Sequence, residues 1–179
     1  MDYRFAIRCW QDRAGSDNAK VNVFMGSTKV ADEVEVTATS EDSPQVIAWE
    51  STGLTAPAAD TSFAIKVVLV NDYYVDADTD RNVNINGIGY LTKAANGSYK
   101  NNTVDGSDNK VEATISDFTD FNNYYINGIP TAVTGDQIPD DFWSGRAADG
   151  FYTIVVWGGT DDTGATMTFP VKEFTCLEA

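Results

Sequence analysis

The sequence predicts an all-β fold, a β-sandwich or jelly roll. Short runs of alternating apolar and polar residues recur along the chain, no segment sustains a helical period, and turns rich in Gly, Asp and Asn separate the runs. Side chains alternate between the two faces of a strand, so each run offers one apolar face, and packing two sheets on those faces hides them from water. The chain has 179 residues, 42% of them apolar, which is enough for one sizeable core, and a single domain over 1–179 is expected.

Taken in order, Tyr3 to Trp10 places Phe5, Ile7 and Cys9 on one face and Arg4 and Arg8 on the other, a first strand. QDRAGSDN turns the chain. Lys20 to Met25 alternates again, and Gly26-Ser27 is the tip of a hairpin turn. Val30 to Thr39 carries Val30, Val34 and Val36 with acids between them, as suits a strand with a wet outer face. A turn over Glu41 to Pro44 leads to a short strand at Val46 to Trp49, then a Pro/Ala/Gly loop from Ser51 to Thr61. Ser62 to Val70 is the most apolar run, with Phe63, Ile65, Val67 and Leu69 of one parity.

Beyond Tyr90 lies a polar stretch near 91–109, either a long hairpin tip or the boundary between two subregions. Strands are expected at Lys110 to Ile115, Phe151 to Trp157 and Thr166 to Phe174, with Pro130 to Asp141 a loop. Pro170 donates no ladder hydrogen bond, so it predicts an edge or a bulge.

Charge narrows the function. Lys and Arg number 12 and Asp and Glu 27, a formal net charge of −15. Such a chain repels a nucleic-acid backbone and has few cations with which to displace its counterions. A groove for a neutral polymer, a cation-dependent surface, or simple solubility in a salty or extracellular setting all fit. The chain has no histidine, which removes the usual general base and zinc ligand together. Cys9 and Cys176 lie near opposite ends, either bridging the first and last strands or standing as two separate buried thiols. No apolar run reaches membrane-spanning length, so no membrane insertion is expected, and MDYRFAIRCW does not read as a signal peptide.

The rest of the chain is organised around VVLVNDYYVDADTDRNVNINGIGY, Val67 to Tyr90. An apolar run enters a loop bearing Asp72, Asp76, Asp78 and Asp80 and leaves as a strand with Val83, Ile85 and Ile88. So many carboxylates repel one another unless water, salt or a cation neutralises them, and a hard cation such as Ca2+ is the simplest occupant. Asp76, Asp78 and Asp80 begin as an EF-hand loop does, but the sixth and twelfth positions, Gly and Glu there, are Arg81 and Gly87 here. The flanks are strands, so the loop is either a calcium loop of another geometry or a solvated acidic turn.

This hairpin resembles the signature hairpin of the small calcium-dependent xylan-binding modules, carbohydrate-binding families 36 and 60. Asn71-Asp72 follows an apolar strand, and Asp80-Arg81-Asn82 leads into Val83, Ile85 and Ile88. The earlier hairpin AKVNVFMGSTKVADEVEV is similar to their strand, Gly turn, strand unit, and the likeness covers roughly Tyr3 to Tyr90. The resemblance implies a non-catalytic jelly roll holding sugar through an exposed calcium that vicinal hydroxyls coordinate. It also implies that Asp72 and Asp80 ligate calcium, that Asn82 orders the turn beside the ligand, and that Arg81 braces the loop by pairing with a carboxylate. Asp76 and Asp78 match nothing firm in it and stand as metal ligands, rim groups or solvated residues.

Rings stack on the apolar faces of sugars, and Tyr73 and Tyr74, next to Asp72, are the nearest candidates. Trp143, beside Asp140 and Asp141, is a further candidate binder, whereas Trp157 ends an apolar strand and reads as core. Asp136, Asp140 and Asp141 form a second acidic patch, but nothing marks one as a raised-pKa acid, so an enzyme is not expected. Asn96 and Asn101 fit the glycosylation triplet in the polar stretch, where exposure is expected.

Two functions remain in contention. One is calcium-dependent binding of a xylan-like polysaccharide or other glycan. The other is a structural or adhesive β-protein of a virion, fibre or appendage that self-associates or assembles, with calcium serving stability or a subunit contact. Both place the protein outside the cell or on a surface.

Overall fold

The structure, a computed structural model, describes residues 3–51, 62–93, 99–104, 110–112, 126–127, 132–134, 154–156 and 164–170. Its described elements are strands: β1 (Tyr3–Asp12), β2 (Ala19–Met25), β3 (Thr28–Val36), β4 (Gln45–Ser51), β5 (Ser62–Leu69), β6 (Tyr74–Asp76), β7 (Thr79–Asp80) and β8 (Asn82–Lys93). Six more follow: β9 (Tyr99–Val104), β10 (Lys110–Glu112), β11 (Ile126–Asn127), β12 (Ala132–Thr134), β13 (Ile154–Val156) and β14 (Ala165–Pro170). The expected all-β sandwich is therefore the observed one.

Two antiparallel sheets form its layers. One runs β10-β9-β8-β1-β4, with β11 and β13 also paired to β8, and the other runs β12-β14-β5-β2-β3. Strands from beyond residue 93 thus enter both sheets. The apolar parity of each run faces the partner sheet, as alternation requires, except in β8, where the parity changes between Ile85 and Ile88 at a shift in the register to β1. Phe5, Ile7 and Cys9 of β1, Ile47 and Trp49 of β4, and Val83, Ile85 and Ile88 of β8 meet residues of the second sheet in one cluster. That sheet supplies Val21, Val23 and Met25 of β2, Ile65, Val67 and Leu69 of β5, and Met167 of β14. Burying each such side chain contributes roughly 1.5–3 kcal/mol. Trp49 belongs to this core: it stacks on Phe5 with ring centroids 6.1 Å apart, and its indole N–H points at Met25 Sδ, 2.9 Å away.

Among the described residues Cys9 is a free, buried thiol within this cluster. Burial pushes it up to about 12, which keeps it protonated and unreactive at neutral pH. Cys176 lies outside the described residues.

The segment from Pro130 to Asp141, expected as a loop, contains β12, which pairs Ala132, Val133 and Thr134 with Thr168, Met167 and Thr166. Pro170 is the last residue of β14, opposite Ser62 of β5 and beyond the span paired to β12. Its missing N–H therefore falls where β14 has one described neighbour. Gly26, at φ +58, opens the two-residue turn joining β2 to β3.

β3 carries a bulge. Val21 pairs with Val34 and Val23 with Ala31, so Asp32 and Glu33 together oppose Asn22. The buried Asn22 accepts the Glu33 N–H at its Oδ1, 2.7 Å away, and Glu33 is held at φ +45. The ribbon β6–β7 connects β5 of one sheet to β8 of the other at one end of the sandwich.

Candidate functional site

The root of the ribbon is built from a buried arginine and a half-buried asparagine. As β5 ends, Val70 N–H donates to Lys20 O at 2.9 Å. Asn71 then fills the gap between the exit of β5 and the start of β2. Its Oδ1 accepts the Lys20 N–H at 2.7 Å, and its Nδ2 donates to Asn18 O at 2.8 Å. On the return side, Arg81 N–H donates to Tyr73 O at 2.9 Å. The Arg81 side chain turns inward and is 3% exposed. Its guanidinium donates to Asn71 O and, at 2.6 Å, to Ala14 O, and it lies 5.5 Å from the centre of the Tyr73 ring. One cation thereby ties together the 13–18 turn, the end of β5 and the first residues of the ribbon.

Arg81 makes bonds that differ from the carboxylate pairing that the resemblance implies. Its partners are backbone carbonyls and a ring, where a carboxylate was expected. The carbonyls leaving β5 and the turn need donors, and the fork of a guanidinium reaches two at once. Gly15 makes room for this. It sits at φ +73, and a Cβ there would lie 3.3 Å from Arg81 Nη2 and 3.5 Å from the Tyr73 ring.

The tip is different. β6 and β7 pair Tyr74 with Asp80 and Asp76 with Thr79, and Asp78 N–H donates to Asp76 Oδ1 at 3.1 Å across the turn. Tyr73 is 41% exposed, Tyr74 65% and Val75 58%, the large apolar residues given to solvent among the described ones. Asp72, Asp76 and Asp78 are exposed and Asp80 half-buried. The short ribbon strings the carboxylates along its length, and among the described residues no three acidic, Cys or His side chains gather as a metal site.

One pair has the chemistry of a cation site. Asn82 Nδ2 donates to Asp80 Oδ2 at 3.2 Å, while its Oδ1 is buried without a hydrogen-bond partner among the described residues. An orphaned buried acceptor costs roughly 1–3 kcal/mol, and a hard cation is one group that satisfies it. Asp80 and Asn82 therefore fit calcium in kind, as oxygen donors. They fall short of the roughly six to eight oxygens calcium takes. The pattern of acids gave no hint of Asn82 Oδ1 or of Gly15. Trp143, Asp136, Asp140 and Asp141 lie outside the described residues.

No protein-family model and no curated protein matches the chain. Among solved structures, the selenomethionine form of vCBM60 aligns at 13% identity. It belongs to one of two families of calcium-dependent carbohydrate-binding modules linked by circular permutation. The alignment covers 70% of this chain and 86% of that one, with a TM-score of 0.29. A score this low does not establish a shared topology. What the site can do therefore follows from its own residues. It presents two exposed rings and an apolar side chain on an anchored ribbon, with acceptor oxygens on either side.

Proposed function

We propose that the chain is a non-catalytic, calcium-dependent module that binds a neutral, xylan-like polysaccharide at the β6–β7 ribbon. The observation that carries the proposal is the exposure of Tyr73, Tyr74 and Val75 beside acidic residues on a ribbon whose root is locked by Arg81. Exposed aromatic residues at a fixed place suit the apolar face of a sugar ring. Holding them in advance reduces the ordering cost of binding.

Asp72, Asp80 and Asn82 would hold the calcium, with Asp76 and Asp78 at its rim. A calcium held by few protein oxygens offers its remaining positions to adjacent sugar hydroxyls. The chain's own share of the work is separate. Tyr74 gives stacking area, Tyr73 stacks while covering Arg81, and the acidic surround repels polyanions. The setting is extracellular or on a surface, where such polymers occur.

Titration with xylohexaose in calcium tests this. Asp72→Asn and Asp80→Asn should each weaken calcium binding, and Tyr74→Ala should weaken sugar about tenfold while leaving calcium affinity unchanged. Wild-type affinities in all three variants would refute the proposal. The same exposed tip also suits the second reading, a self-associating structural protein. Sedimentation that shows concentration-dependent oligomers, abolished by Tyr74→Ala, would favour it.

A further inference from the structure

Beside the ribbon lies an open cleft of about 540 Å³, walled by the 13–18 turn, the start of β2, the bulge of β3 and the exit of β5. Its size falls within the range of small-ligand sites, roughly 300–1,000 Å³. Asp17, Asn18, Lys20, Glu33, Glu35 and Asn71 supply its polar groups. These offer both donors and acceptors. Lys20 Nζ stands 3.7 Å from Glu33 Oε2, and Glu35 is exposed.

Both walls are set in place by buried amides. Gln11 is 1% exposed. It donates from Nε2 to Asn18 Oδ1 at 2.9 Å and accepts the Ala19 N–H at Oε1, 2.8 Å away, fixing the turn from below. Asn71 holds the same turn from the β5 side through Asn18 O. Opposite, Asn22 caps the bulge and directs Glu33 over the cleft. Bulges redirect side chains, and a non-glycine residue at positive φ is a conformation that the surroundings must hold. The exposed, 3.7 Å ion pair with Lys20 returns little for that strain.

We infer that this cleft is a second, ion-independent subsite for the same kind of ligand, a neutral polyhydroxylated chain. Lys20 donates hydrogen bonds to hydroxyl oxygens there, and Glu33 and Glu35 accept hydrogen bonds from hydroxyls. The inference takes its ligand class from the polysaccharide reading of the ribbon but shares no ion or stacking residue with it. The two adjoin. Asn71 lines the cleft and immediately precedes Asp72, and Gly15, where a Cβ would meet the Tyr73 ring, immediately precedes Ser16 of the cleft wall. Carboxylates outnumber the one lysine, so a uronate chain is disfavoured.

Xylohexaose is titrated into the full chain in calcium and in EDTA, with oligogalacturonate as the charged control. Glu33→Gly and Glu35→Gln should each lower xylohexaose affinity about five- to tenfold in both buffers. Glu33→Gly should at the same time melt no lower than the wild type, because glycine adopts φ +45 without strain. A variant that melts higher and binds worse marks Glu33 as held for its carboxylate. Wild-type affinity in both variants, or equal affinity for oligogalacturonate, overturns the cleft. Failure of the ribbon reading has its own signature: Tyr74→Ala and EDTA leave affinity unchanged while the cleft variants still lose it.

Discussion

The root and the tip of the β6–β7 ribbon are separated by a few residues and follow opposite rules. At the root, the Asn71 side-chain amide and the two terminal nitrogens of Arg81 bond backbone groups, while Arg81 Nε is buried without a partner among the described residues, and Gly15 leaves room for Arg81. At the tip, Tyr74 and Val75 give large apolar areas to water, and Asp76 and Asp78 face solvent. Removing a root residue orphans buried groups. Removing a tip residue leaves the fold nothing to repair. Stability is therefore concentrated in the one, and the proposed function places binding in the other.

Substitutions sharpen that contrast. The largest effect is expected for Arg81→Ala, which strands the carbonyls of Ala14 and Asn71. Urea unfolding should show a loss of about 3 kcal/mol, and a change under 1 kcal/mol would mean that the root is not the anchor. Gly15→Ala meets both an unfavourable φ and the Arg81 guanidinium, and should cost about 1–2 kcal/mol by the same assay. At the tip, Tyr74→Ala should alter stability by less than about 0.5 kcal/mol while reducing sugar affinity. If it destabilised the fold as Gly15→Ala does, the division between root and tip would collapse. A similarly small change in stability, no more than about 0.5 kcal/mol, is expected for Lys29→Ala, which removes an exposed pair with Asp32 at 3.0 Å and a distant contact with the Phe24 ring.

The core was legible because alternation is a direct imprint of burial on sequence. Phe5, Ile7 and Cys9, and again Ile65, Val67 and Leu69, share a parity and share a cluster. Sheet membership was not legible, since antiparallel partners are chosen by packing that no single run encodes. β12 was missed because Ala-Val-Thr is too short to show a period, and it exists by pairing with β14. Of the site, the acidic loop and its tyrosines stood out by type. The role of Arg81 was half visible: bracing was expected, but its carbonyl partners come from Asn71 and from Ala14, which is distant in sequence. The bulge capped by Asn22 was invisible, because an Asn in an alternating strand looks like any outward polar residue.

On the proposed function, the tip binds sugar with the help of a cation. Calorimetry of the calcium-stripped chain tests it most directly, first titrated with calcium and then, in calcium and in EDTA, with xylohexaose. Calcium should bind, and sugar affinity should be at least about tenfold higher in its presence. Equal sugar affinity in the two buffers, or no heat from calcium, would contradict it.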